Sequence, residues 1–168
     1  MNEQRSPSRQ GCERVEECVE LCTARSVYVE EKGVRATFTN PQRKQVRKIH
    51  YDGCLYTGRG KRADYILGLP YIIDVIVELK GTDTNLKHAA RQVEKTLDNW
   101  EENPMRARLI AALIIYGRVE GRKKLPGRVP RTEAVILGLR AEIRRRRGLI
   151  LRIHENGEQR FKFRDFYS

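Results

Sequence analysis

The chain has 168 residues and carries 34 Lys and Arg against 22 Asp and Glu, a formal net charge of +12. That length supports one domain with a genuine core and argues against two, and the charge exceeds what solubility requires, which favours a polyanionic partner. The longest uncharged run, LIAALIIYG at 109–117, is too short to span a membrane, and the polar start MNEQRSPSRQ lacks the apolar segment of a secretory signal, so a cytoplasmic protein is expected.

Residues 1–10 have no hydrophobic period and read as a flexible lead-in, with a single domain over 11–168. From Cys12 to Arg25, the apolar positions Val15, Cys18, Val19 and Cys22 recur at helical spacing and predict a short amphipathic helix. Three β-like runs follow, VYVEE with VRATFTN, then VRKIHYDGCLY, then RADYILGL, separated by turn formers and implying an antiparallel meander. Leu69-Pro70 makes the next turn, and YIIDVIVELK at 71–80 is the most apolar strand, suited to a central position covered on both faces.

Beyond Gly81 the period changes. Leu86, Ala90, Val93, Leu97 and Trp100 form a helical stripe with Asp83 or Thr84 as N-cap, Pro104 closes it, and RLIAALIIYGRV returns as a buried strand. A strand, helix, strand unit of this kind lays two parallel strands together. Residues 121–131, GRKKLPGRVPR, read as a basic loop, Thr132 to Arg147 as a helix ending at Gly148, and GLILRIHENGEQRFKF as a terminal hairpin about Asn156-Gly157. In that hairpin Leu151, Ile153, Phe161 and Phe163 point inward, leaving Arg152, His154, Arg160 and Lys162 as a basic outer face.

Cys12, Cys18, Cys22 and Cys54 make no paired CxxC set, and in the cytosol they are expected as free thiols. The alternative has Cys18 and Cys22, on one face of the first helix, meeting Cys54 around zinc or an iron–sulfur cluster.

The chemistry concentrates at the end of the central strand. Strand side chains alternate, so Glu78 and Lys80 share one face and Leu79 takes the other. If the strands pair about Leu69-Pro70, Asp64 lies at the end that carries Glu78, and two carboxylates and a lysine converge. Hard oxygen ligands without His or thiolate suit Mg2+ or Mn2+, and on a basic protein they point to metal-assisted attack on a phosphodiester, with Lys80 orienting water or stabilising the pentacovalent charge. The bland reading makes Asp64 a solvated residue and Glu78 with Lys80 a surface ion pair. Asp74, about 13 Å from Glu78 along its strand, reads as structural or solvated; Asp52 and Asp83 have weaker claims, and His50, His88 and His154 are scattered.

Asp64, then Glu78-Leu79-Lys80, then a helix bearing Gln92 resembles the PD-(D/E)xK nuclease superfamily, the restriction-endonuclease-like fold. The resemblance covers about residues 27–117 as a pattern of elements. It implies an α/β/α core with a mixed central sheet, here followed by a C-terminal helix and β-hairpin. It also implies that Asp64 and Glu78 bind the metal with the carbonyl of Leu79, that Lys80 serves catalysis, and that Gln92 is the glutamine many members carry on this helix. Ala63 stands where the superfamily pattern has proline, and Thr96 where a tyrosine often follows the glutamine. Many members add an acid from the first helix, for which Glu16, Glu17 and Glu20 are available, and many are homodimers, so a homodimer is compatible.

Arg122, Lys123, Lys124, Arg128 and Arg131 of the basic loop are candidates to follow a nucleic-acid backbone, with Arg144 and Arg145 from the Arg144–Arg147 run as further candidates. The expectation is a Mg2+-dependent endonuclease acting on DNA, structure-selective or restriction or homing-like. The alternative is an inactive DNA- or RNA-binding module on the same fold.

Overall fold

The computed structural model describes residues 11–80, 86–116, 129–147, 149–155 and 160–167, without the side chains of 129–133, 135, 136, 146 and 155. Ten strands and two α-helices occur among the described residues: β1 Cys12–Glu16, β2 Val19–Cys22, β3 Ser26–Glu31, β4 Val34–Thr39, β5 Val46–His50, β6 Tyr65–Leu69, β7 Ile73–Lys80, α1 Leu86–Trp100, β8 Leu109–Tyr116, α2 Val129–Arg147, β9 Leu151–Glu155 and β10 Arg160–Lys162, followed by a 3-10 turn over Phe163–Phe166. A seven-stranded mixed sheet runs in the order β1-β2-β5-β6-β7-β8-β9, and a three-stranded sheet in the order β10-β4-β3.

The expected unit around β7 is present. β5, β6 and β7 pair antiparallel, α1 crosses over, and β8 pairs parallel with β7 from Ile73↔Leu109 to Lys80↔Tyr116. β7 is buried along its length up to Lys80. The alternation of a strand explains how: Ile73, Val75, Val77 and Leu79 enter one core with Val27, Val29, Ala36 and Phe38, while Ile76 enters a second with Leu86, Ala89, Val93, Leu97 and Trp100. Ile143 of α2 packs in the second core too, so both helices lie on one face.

The layering therefore departs from the expected α/β/α core. The small sheet, with Phe38 packed against Phe161, Phe163 and Phe166 at centroid distances of 5.7, 4.9 and 5.8 Å, covers the face where the resemblance put a helix layer. The period-two stripes of β3 and β4 supply an apolar face for that core, and a single strand pattern does not say which sheet it joins.

Four local expectations are corrected. The helix over Cys12–Arg25 is the β1–β2 hairpin, with Cys12 opposite Cys22. A three-residue spacing puts two side chains on one helix face but on opposite strand faces, so Val19 and Cys22 enter different cores, and Val15 is exposed. The cysteines are not free and form no metal cluster: Cys12 pairs with Cys22 and Cys18 with Cys54, because the hairpin brings the first two face to face and its tip meets the segment after β5. The terminal hairpin is absent as such, since β9 pairs parallel with β8 and β10 parallel with β4 in the other sheet; Asn156-Gly157 lies outside the described residues. Its inward set is buried as expected, but the outer face is only partly solvated. Arg152 donates to the Asp165 carbonyl at 2.9 and 2.6 Å and His154 lies against the Phe161 ring, while Arg160 and Lys162 are exposed.

Asp74 is structural and fully buried on the helical face of β7. It accepts from Arg47 Nη2 at 2.9 Å, Trp100 Nε1 at 2.8 Å and the Ala107 N–H at 2.7 Å, tying β5, the end of α1 and the approach to β8 together. Gly68 opposite it makes room: a Cβ there would lie 2.5 Å from Asp74 Oδ1 and 2.3 Å from the Ile73 carbonyl oxygen.

Asp74→Ala strands a mostly buried guanidinium and two donors, so a loss of about 3–5 kcal/mol is expected in urea denaturation. Cys18–Cys54 closes a loop of 36 residues, so Cys18→Ser/Cys54→Ser is expected to lower unfolding free energy by about 2–4 kcal/mol. The same measurement, repeated with and without reductant, checks that loss.

Candidate active site

The last β6–β7 pair is Tyr65↔Val77, so Glu78, Leu79 and Lys80 extend past their β6 neighbour. Asp64, the residue just before β6, fills the vacated position, and its Oδ2 accepts the Leu79 N–H at 2.8 Å. The N–H and C=O of one strand residue point to the same side, so the Leu79 carbonyl faces this gap as well. Glu78 and Lys80 project on the helical face, with Lys80 Nζ 3.0 Å from Glu78 Oε1.

Helix α1 holds the segment that leads into Asp64. Gln92 Nε2 donates to the Arg62 carbonyl at 3.2 Å, and the Thr96 hydroxyl accepts the Ala63 N–H at 2.8 Å while donating to the Gln92 carbonyl at 2.8 Å. Thr96 is fully buried and was not among the expected site residues. The sequence signal for it is a residue that bonds readily to backbone, placed mid-helix one turn after Gln92.

Two buried acceptors at the site, Glu78 Oε2 and Gln92 Oε1, have no hydrogen-bond partner among the described residues. Burial raises the Asp64 pKa to about 6 against the Leu79 N–H, which pulls it down, with the charges of Glu31 and Asp52 adding to the rise and Lys80 opposing it. Burial and then the charge of Asp64 raise Glu78 to about 8, opposed by Lys80. One ammonium thus faces two carboxylates, which leaves a negative charge uncompensated when both ionise.

A divalent cation fits these donors. Glu78 Oε2, the Asp64 carboxylate and the Leu79 carbonyl are hard oxygens, the set that suits Mg2+ or Mn2+. Among the described residues no three of His, Cys, Asp and Glu cluster as a metal cage.

The remaining candidates separate. Asp52 Oδ1 accepts the Arg62 N–H at 3.2 Å, behind the site. Glu16 and Glu17 are exposed on the β1–β2 hairpin and Glu20 pairs with Lys48, while the acids whose charges raise the Asp64 pKa are Glu31 of β3 and Asp52. His50 stacks on Tyr65. Arg144 and Arg145 are exposed on α2, while Arg147 pairs with Asp98 and Glu101 of the α1 region. Asp83, Arg122, Lys123, Lys124, Arg128 and the side chain of Arg131 lie outside the described residues. The chain matches no known family model, no curated protein and no solved structure.

A carboxylic acid whose pKa rises on folding gives the native state extra protons. Glu78 therefore contributes stability that is fully present below about 4.5 and lost as pH climbs to about 8. In EDTA, the melting temperature is expected to fall between pH 5 and pH 8, and Glu78→Gln to flatten that fall in thermal melts.

Proposed function

We propose that the protein is a Mg2+- or Mn2+-dependent endonuclease acting on DNA, of the PD-(D/E)xK type. The observation that carries the reading is the grouping of Asp64, Glu78 and Lys80 at the end of β7 that extends past β6, with Glu78 Oε2 buried and lacking a donor among the described residues. The chain's excess of +12 supports a polyanionic substrate. Three features differ from the superfamily pattern: a small sheet lies on the face where the α/β/α core has helices, Ala63 stands where the pattern has proline, and Thr96 stands where tyrosine is common.

In this reading Asp64, Glu78 and the Leu79 carbonyl hold the metal. When bound, the ion supplies a Lewis acid that polarises a phosphoryl oxygen and neutralises the departing charge. Lys80 Nζ, fixed against Glu78, donates to the phosphate oxygens as negative charge builds on them, or orients the attacking water. Gln92 and Thr96 act through the backbone of Arg62 and Ala63, which sets the position of Asp64. The two disulfides support an oxidising setting rather than the cytoplasm expected from the sequence.

The test is cleavage of labelled duplex, single-stranded, flap and four-way-junction DNA with Mg2+, Mn2+ or EDTA. Metal-dependent cutting by the wild type, reduced by about 10²–10³-fold or more in Lys80→Ala and in Asp64→Asn, is expected. Binding without cutting on every substrate turns the reading to an inactive DNA-binding module, and cutting that survives Lys80→Ala places the chemistry elsewhere.

A further inference from the structure

The segment between Tyr56 and Ala63, TGRGKR, has no acidic residue and leads within two residues into Asp64. It is braced from within. The Arg62 guanidinium lies 4.2 Å over the Tyr56 ring, donates through Nε to Asn99 Oδ1 of α1 at 2.9 Å, and reaches back through Nη1 to the Gly60 and Lys61 carbonyls at 3.4 and 3.3 Å. The Tyr56 hydroxyl donates to the Arg59 carbonyl at 3.1 Å. Gly58 packs so closely that a Cβ would sit 2.6 Å from that hydroxyl, and Gly60 has φ +81°. A side chain at position 58 would displace the Tyr56 ring, and one at position 60 would be strained in the left-handed conformation, so both glycines favour this loop conformation.

The bracing uses Arg62 and leaves the other two cations free. Arg59 and Lys61 are exposed, and neither side chain makes an ion pair or hydrogen bond among the described residues. Arg47, Lys48 and Lys80, by contrast, each face a carboxylate. A fixed loop bearing two unpaired cations beside a carboxylate site is an arrangement for gripping a phosphate backbone, since ordering entropy is spent on folding rather than on binding. Lys61 is three residues from Asp64, at most about 10 Å of extended chain. On a strand with one phosphate per ~3.4 Å of helix axis, that reach covers the phosphates flanking the reacting one.

We infer that the loop from Thr57 to Arg62 is the DNA-backbone grip of this site, with Arg59 and Lys61 as its phosphate contacts and Arg62 with Tyr56 as its brace. The inference rests on the nuclease reading for its substrate. The grip positions DNA and carries no sequence information, because phosphate contacts are common to all sequences.

The test measures binding of labelled duplex and four-way-junction DNA in EDTA over a salt series, for the wild type, Arg59→Ala/Lys61→Ala and the charge-keeping Arg59→Lys/Lys61→Arg. The expected result is affinity about tenfold or more weaker in the alanine pair, with the slope of log affinity on log salt smaller by about two. The charge-keeping pair should stay near wild type, and in Mg2+ the alanine pair should lose cleavage mainly through KM. Alanine-pair binding equal to wild type overturns the grip while leaving the nuclease reading intact. Weakened binding in the alanine pair of a protein that never cuts sustains the grip and overturns the nuclease reading. A wild type that binds no DNA overturns both.

Discussion

The fold turns on β7 being buried on both faces while three charged side chains, Asp74, Glu78 and Lys80, lie on its helical side. An ionised group taken out of water is costly unless donors replace the water. The strand answers this cost in two different ways four residues apart. Asp74 is surrounded by a guanidinium, an indole N–H and a backbone N–H. Glu78 has Lys80 on one oxygen and, among the described residues, no hydrogen-bond partner on the other. The same residue class on the same face is thus a structural staple at one end and an open acceptor at the other.

What makes the difference is where the neighbouring strand stops. β6 ends its pairing at Tyr65, so the edge of β7 beyond Val77 is completed by a side chain, Asp64, instead of by backbone. Asp64 is held from behind by α1 through Gln92 and Thr96, and from the side by the Tyr51 N–H, which donates to its carbonyl at 2.9 Å. Strand termination, helix crossover and a threonine in mid-helix therefore converge on one carboxylate.

The β6-β7-α1-β8 unit was legible because each of its elements has a long, unmixed period: an apolar run, a five-point helical stripe, a second apolar run. Asp64, Glu78 and Lys80 followed from strand alternation and a single turn. The N-terminal hairpin was not legible, because four apolar residues at mixed spacing fit a helix face by position, and nothing local shows that Cys12 will face Cys22. Nor does alternation name the sheet a strand will join, which is why Leu151 and Phe161 were assigned correctly as buried but to a single hairpin. Thr96 escaped because its role is a contact with a residue 33 positions away.

The disulfides acquire their meaning from the same site. The Cys18 carbonyl accepts the His50 N–H at 3.0 Å, and the next residue, Tyr51, donates to Asp64, so the Cys18–Cys54 bridge spans the end of the sheet where the carboxylates sit. That end carries the mutual repulsion of Asp64 and Glu78, which raises the energy of the ionised native state. A covalent tie between the hairpin tip and the segment after β5 offsets such a cost by restricting the unfolded chain rather than by adding contacts to the site. The site can then tolerate the buried Glu78 Oε2, which has no hydrogen-bond partner among the described residues, since the stability of the fold does not depend on satisfying it.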